Sequence, residues 1–171
     1  MRCDHFDAGT CRSCSLLPQP YERQLAGKAE AVAATLSPVL GADEIAWLAP
    51  ASSPQKGFRT SAKLVVGGTR RRPTLGILGP DRRGIDLPGC PIQHPAINRA
   101  TPGLKRFIRS LSLTPYDVPT KRGELKNILI TVGAGEQLMI RFVLRTRERV
   151  SDIRSALPLL RNLVPSAHVV T

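Results

Sequence analysis

The chain has 171 residues, a hydrophobic fraction of 42% and few aromatics at 4%, which is enough for one domain with a real core. It contains no internal repeat, no low-complexity tract and no apolar run of the length a helix needs to span a bilayer. Lys and Arg outnumber Asp and Glu by 25 to 13, and a basic surface of that size attracts polyanions, nucleic acid first among them.

The excess is uneven. Residues 1–60 carry six charges of each sign, so the whole net +12 lies in residues 61–171. The balanced part opens with Cys3, Cys11 and Cys14, spaced C-x7-C-x2-C, and the fourth and last cysteine is Cys90, followed by Pro91. Asp4, His5 and Asp7 interrupt the N-terminus, so no secretory signal is read and a reducing, cytoplasmic setting is expected. Structural disulfides rarely persist there. A redox pair at Cys11 and Cys14 lacks the preceding strand of thioredoxin-like sites. Metal binding fits better, and on spacing alone zinc and an iron–sulfur cluster both remain open.

From Pro20 to Leu36, apolar residues recur at helical spacing (Leu25, Ala29, Val32, Ala33, Leu36), and Pro38 is expected to stop the helix. Residues 49–57 read as loop. Phe58 to Val66 alternates, with Phe58, Thr60, Ala62 and Leu64 on one face and Arg59, Ser61 and Lys63 on the other, a half-buried strand with a basic outer face. Gly67-Gly68 turns the chain through the basic tip Arg70-Arg71-Arg72 into a second strand, Thr74 to Leu78.

A helix is expected after Thr101-Pro102, with Leu104, Phe107, Ile108 and Leu111 inward and Lys105, Arg106 and Arg109 outward. Residues 121–126 form a basic loop into a strand from Leu125 to Val132. A turn at 133–136 leads to a strand with Leu138, Ile140, Phe142 and Leu144 on one face and Arg141 and Arg145 on the other. Ser151 is expected to cap a last helix that Pro158 bends or ends, and residues 168–171 open a further strand. Together these give an α+β domain with a mainly antiparallel sheet. The division expected is a cysteine-rich loop at 1–20, completed by Cys90, and a basic domain at 21–171. No nucleotide-binding glycine motif, nucleophile elbow or paired histidine assembles a catalytic centre.

Several short stretches recur together in a known family. Cys3-x7-Cys11-x2-Cys14, Gln24-Leu25, Gly57-Phe58-Arg59-x3-Lys63, Cys90-Pro91, Leu113-Thr-Pro-Tyr116, Lys121-Arg-Gly-Glu-Leu-Lys126 and Arg141-Phe-Val-Leu-Arg145 resemble, in colinear order, the bacterial uracil-C5 RNA methyltransferases. The nearest type acts on 23S ribosomal RNA. The resemblance implies a 4Fe–4S cluster on Cys3, Cys11, Cys14 and Cys90, and it implies 23S RNA as partner. Arg59, Lys63, Lys121, Arg122, Lys126, Arg141 and Arg145 are the residues expected to meet RNA phosphates.

In that family the Rossmann-like domain for S-adenosylmethionine, the cysteine that attacks C6 of uracil and the carboxylate base lie further along the chain. None is recognised in these residues. The expectation is therefore an N-terminal portion that is inactive by itself, with a terminal strand whose open edge favours association. The alternative is a stand-alone iron–sulfur or zinc module that binds nucleic acid. The oligomeric state is not fixed by the sequence.

Overall fold

Pro20 precedes a helix as its fixed φ favours, but Pro38 does not end it. In the computed structural model, which describes residues 1–40 and 45–171, helix α1 spans Asp4–Asp7 and α2 runs Tyr21–Leu40 with Pro38 inside. Pro38 lies in the last turn, where its missing N–H costs the helix a single i→i−4 hydrogen bond near its end. Gln24 ties α2 to the cysteine loop, its Nε2 donating to the carbonyls of Leu16 and Gln19 at 3.0 and 2.9 Å. The chain divides into two compact units, Met1–Gln55 and Lys56–Thr171; the sequence-based division at residue 20 falls within the first.

The second unit is built on strand β1, Ser61–Gly68, in which Ala62, Leu64 and Val66 are buried while Ser61 and Lys63 are exposed. The further strands are β2 (Pro73–Leu78), β3 (Gly84–Asp86), β4 (Leu125–Val132), β5 (Leu138–Leu144) and β6 (Ala167–Val170). They form a mixed sheet in the order β3-β2-β1-β4-β5-β6. Neighbours are antiparallel except β5 and β6, which run parallel. Parallel strands need a crossover, here carrying helices α4 (Val150–Ser155) and α5 (Leu157–Leu163).

Helix α3, Pro95–Ser110, begins seven residues earlier than the Thr101-Pro102 signal suggested. His94 is the cap, its Nδ1 accepting from the Ala96 N–H at 3.3 Å, with Pro95 behind it. Thr101 is buried and turns its hydroxyl to the Ile97 carbonyl at 3.0 Å. Ala96, Ile97, Leu104, Phe107 and Ile108 join Leu64, Val66, Ile128, Ile130, Ile140 and Phe142 in one core. Phe107 and Phe142 meet with ring centroids 5.6 Å apart, a tilted pair worth about 0.5–1.5 kcal/mol beyond its buried area. A Cβ at Gly103 would lie 2.2 Å from the Leu163 carbonyl oxygen, so glycine lets α3 and α5 approach this closely.

Three smaller expectations change. Phe58 is exposed at 49%, outside β1 rather than on its buried face. The helix after β5 starts at Val150 with Arg149 at the cap position and no side-chain cap, and Ser151 lies inside it. Pro158 opens α5 after a break at Ala156, since its missing N–H is harmless in a first turn. Among the described residues no helix is long and apolar enough to cross a membrane.

Candidate nucleic-acid interface

Because side chains alternate across a sheet, the core fixes what the opposite face presents. Lys63 pairs with Leu129, and Leu129 with Arg141, in one cross-strand row. Two strand spacings put the Lys63 and Arg141 backbones about 10 Å apart, and both side chains are exposed. Arg141 Nε donates to Thr171 Oγ1 at 3.1 Å, which steadies the guanidinium beside β6. Half-buried Val65, Leu129 and Val143 and exposed Met139 lie on the same face. Cations among apolar groups suit a ligand with both phosphates and flat bases.

Lys121 and Arg122 lie in the loop leading into β4, and Lys126 is the second residue of the strand itself. The loop is tightly constrained. Gly123 adopts φ +97, and a Cβ there would stand 2.0 Å from the Pro115 carbonyl oxygen. Asp117 donates its N–H to the Arg122 carbonyl at 2.8 Å, and its Oδ2 accepts from the Thr120 N–H and hydroxyl at 3.0 and 2.6 Å. The hydroxyl bond, foremost, holds the Asp117 carboxyl below its usual range. Exposed Lys121 and Arg122 thus project from an ordered turn. Lys126 Nζ lies 5.0 Å from the centroid of the Tyr116 ring, a cation–π contact.

Arg145 is differently placed. Its Nε is 3.8 Å from Oε2 of Glu124, a carboxylate only 8% exposed. Arg59 is exposed, and its backbone bonds the Ile92 carbonyl and His94 N–H, both at 2.9 Å. Gly57 N–H likewise donates to the Pro91 carbonyl at 2.9 Å, so this stretch runs beside the Cys90-Pro91 loop. The seven cations therefore fall into a sheet-face pair, a loop group with Arg145 at its base, and Arg59 near Cys90.

Sequence reasoning passed over Arg82 and Arg83. With Val65, Gly67, Gly84, Tyr116 and Asp117 they line a hollow of about 300 Å³. They follow β2 in a turn whose next strand, β3, is only three residues long, too short for periodicity to reveal.

Cys3, Cys11 and Cys14 lie in the first unit and Cys90 in the second, all half-buried. Cys3 precedes α1, its carbonyl accepting from the N–H groups of Phe6 and Asp7 at 3.0 and 2.9 Å. Cys11 N–H donates to the His5 carbonyl at 3.0 Å, and its thiol to Ser13 Oγ at 3.5 Å. The Cys90 carbonyl accepts from Gln93 N–H and Asn98 Nδ2 at 3.1 and 3.0 Å. Cysteine thiolates as a class are ligands for zinc and for iron–sulfur clusters. Among the described residues, no three His, Cys, Asp or Glu side chains are gathered to hold a metal ion.

No protein-family model matches the chain. The 23S rRNA (uracil(747)-C(5))-methyltransferase RlmC of Enterobacter sp. (strain 638) is 41% identical over 173 residues, covering 100% of this chain and 45% of the relative. RlmC of Cronobacter sakazakii (strain ATCC BAA-894) is 43% identical over 172 residues, with the same two coverages. The chain thus spans less than half the length of the curated relatives it matches. The crystal structure of Pyrococcus abyssi tRNA (uracil-54, C5)-methyltransferase in complex with S-adenosyl-L-homocysteine aligns with a TM-score of 0.60, over 80% of this chain and 32% of that one. At 24% identity that likeness speaks for the fold. By sequence the chain is similar, along its whole length, to part of the RlmC 23S rRNA uracil-C5 methyltransferases.

Proposed function

We propose that these residues form the RNA-binding, cluster-bearing part of an S-adenosylmethionine-dependent methyltransferase acting on uracil C5 of 23S ribosomal RNA in the cytoplasm. The observation that carries the reading is the cross-strand row of Lys63 and Arg141 on the sheet face opposite the core helices, in a chain related throughout to RlmC proteins. In this reading Arg59, Lys63, Lys121, Arg122, Lys126, Arg141 and Arg145 meet the RNA backbone, and Tyr116 offers a stacking surface for an unpaired base.

Cys3, Cys11, Cys14 and Cys90 would hold a 4Fe–4S cluster that orders the N-terminal loop, since metal binding and folding are coupled where ligands come from separate segments. Methyl transfer to C5 needs a nucleophile at C6, a held methyl donor and a base for the C5 proton. With all four cysteines as cluster ligands, no thiol remains for that attack, so this stretch by itself transfers no methyl group. A Rossmann-like part elsewhere in the enzyme would supply the cofactor and the reacting groups.

The test is equilibrium binding to an in vitro 23S RNA transcript across a salt series. Replacing Lys63 and Arg141 together by glutamine removes two phosphate contacts and should flatten the slope of log affinity against log salt by about 1.4–1.8. Binding indifferent to salt and to this double change would refute the reading. A stand-alone zinc module would instead purify colourless with one zinc per chain.

A further inference from the structure

A second concentration of cations lies away from the Lys63–Arg141 row. The turn between β1 and β2 carries Arg71 and Arg72, and α3 carries Lys105, Arg106 and Arg109. With Pro73 and Pro102 these residues line one cavity of about 410 Å³. The turn is fixed by reciprocal backbone bonds between Thr69 and Arg72 at 3.2 and 3.1 Å. Lys105 is already committed, its Nζ lying 2.6 Å from Asp86 Oδ2 while Asp86 Oδ1 accepts from the Leu75 N–H at 2.8 Å. Arg71, Arg72, Arg106 and Arg109 have no carboxylate partner among the described residues.

A structural use accounts for one of them. A cation in the last turn of α3 offsets the negative end of the helix dipole, and Arg109 stands there. Arg71 and Arg72 come from another element and offset no dipole. Four unpaired guanidinium groups around one hollow raise the local potential and repel one another. An anion with several acceptor oxygens relieves that repulsion and matches the planar donor fork of arginine.

We propose that this cavity seats a backbone phosphate of the RNA, a contact separate from the sheet-face cations. The proposal rests on the RNA-binding reading above and adds to it. The bound strand then touches the protein on both sides of the sheet, crossing near the β1–β2 turn.

The test uses the full chain with arginines 72 and 106 replaced together by glutamine (R72Q/R106Q), both sites being exposed. The melting curve should stay that of the parent, and the salt slope for the 23S transcript should fall by about 0.7–0.9, as the loss of one phosphate contact requires. A scan of neutral methylphosphonate linkages through a short RNA from the same region then separates contact from general attraction. At least one linkage should weaken the parent protein and leave R72Q/R106Q unaffected. If the slope stays unchanged in R72Q/R106Q while K63Q/R141Q flattens it, the cavity proposal is wrong and the RNA reading stands. If no linkage behaves differently in the two proteins, no phosphate is seated there and the proposal is also overturned. If the parent does not bind RNA at all, both fall.

Discussion

Glu124 offers the most direct check of how the basic loop is held. It is 8% exposed, and its Oε1 accepts from the N–H and hydroxyl of Thr146 at 2.7 and 2.9 Å. Its backbone carbonyl accepts from Arg145 N–H at 2.8 Å, and its N–H donates to Thr114 at 2.9 Å. The carboxylate therefore clamps the entry of β4 to the exit of β5. Glu124→Ala removes two hydrogen bonds to a charged acceptor, each worth about 1.5 kcal/mol or more, and leaves the half-buried Thr146 N–H without its partner. The Arg145 contact adds little at 3.8 Å with that side chain 47% exposed. The expected loss is about 3 kcal/mol, a fall of roughly 1–3 M in the urea midpoint for ordinary slopes. Glu124→Gln keeps the Oε1 acceptor and should cost about 1 kcal/mol. Urea unfolding followed by circular dichroism measures both. Equal losses for the two variants, or a loss below about 0.5 kcal/mol for alanine, would refute the clamp.

Other expectations follow from single positions. Gly103→Ala forces a methyl against the Leu163 carbonyl oxygen and should lower stability by about 1–3 kcal/mol; a melting temperature equal to the parent's would contradict the close α3–α5 packing. Gly27→Ala, in α2 with nothing within 4 Å of the new methyl, should raise the stability of that helix by up to about 1 kcal/mol, and helicity that falls instead would count against α2. Asp117 has its carboxyl lowered chiefly by the Thr120 hydroxyl, so the turn's stabilisation is fully present above the ordinary aspartate range and lost only as pH falls through the depressed value. An NMR titration of the Thr120 amide should therefore show a midpoint below about 3.9; a midpoint at or above it sinks the assignment. Cys90→Ser should cut the iron content of anaerobically purified protein as deeply as Cys11→Ser, and full iron retention in either variant removes that residue from the ligand set.

Strands with a two-residue period were readable because one face must be buried. β1 was legible in Ala62 and Leu64, and β5 in Leu138, Ile140 and Phe142, all of them buried. β3 is three residues long and left no pattern. The start of α3 was misplaced because the chain carries two similar signals. His94-Pro95 and Thr101-Pro102 each put a polar residue before a proline, and only the tertiary fold decides which one caps the helix. At the candidate site, Lys63 and Arg141 were legible as outward strand residues. Their common row needed the sheet order, which no local pattern contains. Arg72 was legible in the basic tip and Arg106 on the outward face of a helix, and their shared cavity arises only when α3 packs beside the β1–β2 turn.

The sheet order also has a consequence for folding. Strands β1 to β3 come from one contiguous stretch and β4 to β6 from another, and they join only at the β1–β4 seam. Ser61 and Thr131, paired across that seam, are 70 positions apart, whereas each hairpin closes over a few residues. Closing the longer loop costs about 2 kcal/mol more in chain entropy than closing a hairpin of about six residues, so each half can form locally before the two meet. Helix α3 lies between the halves in sequence and contacts both β2 and β4, which makes it the template on which they meet. Truncations at Leu64 or Ile130 should therefore slow refolding itself, while truncations at Leu160, in the later crossover, should chiefly hasten unfolding.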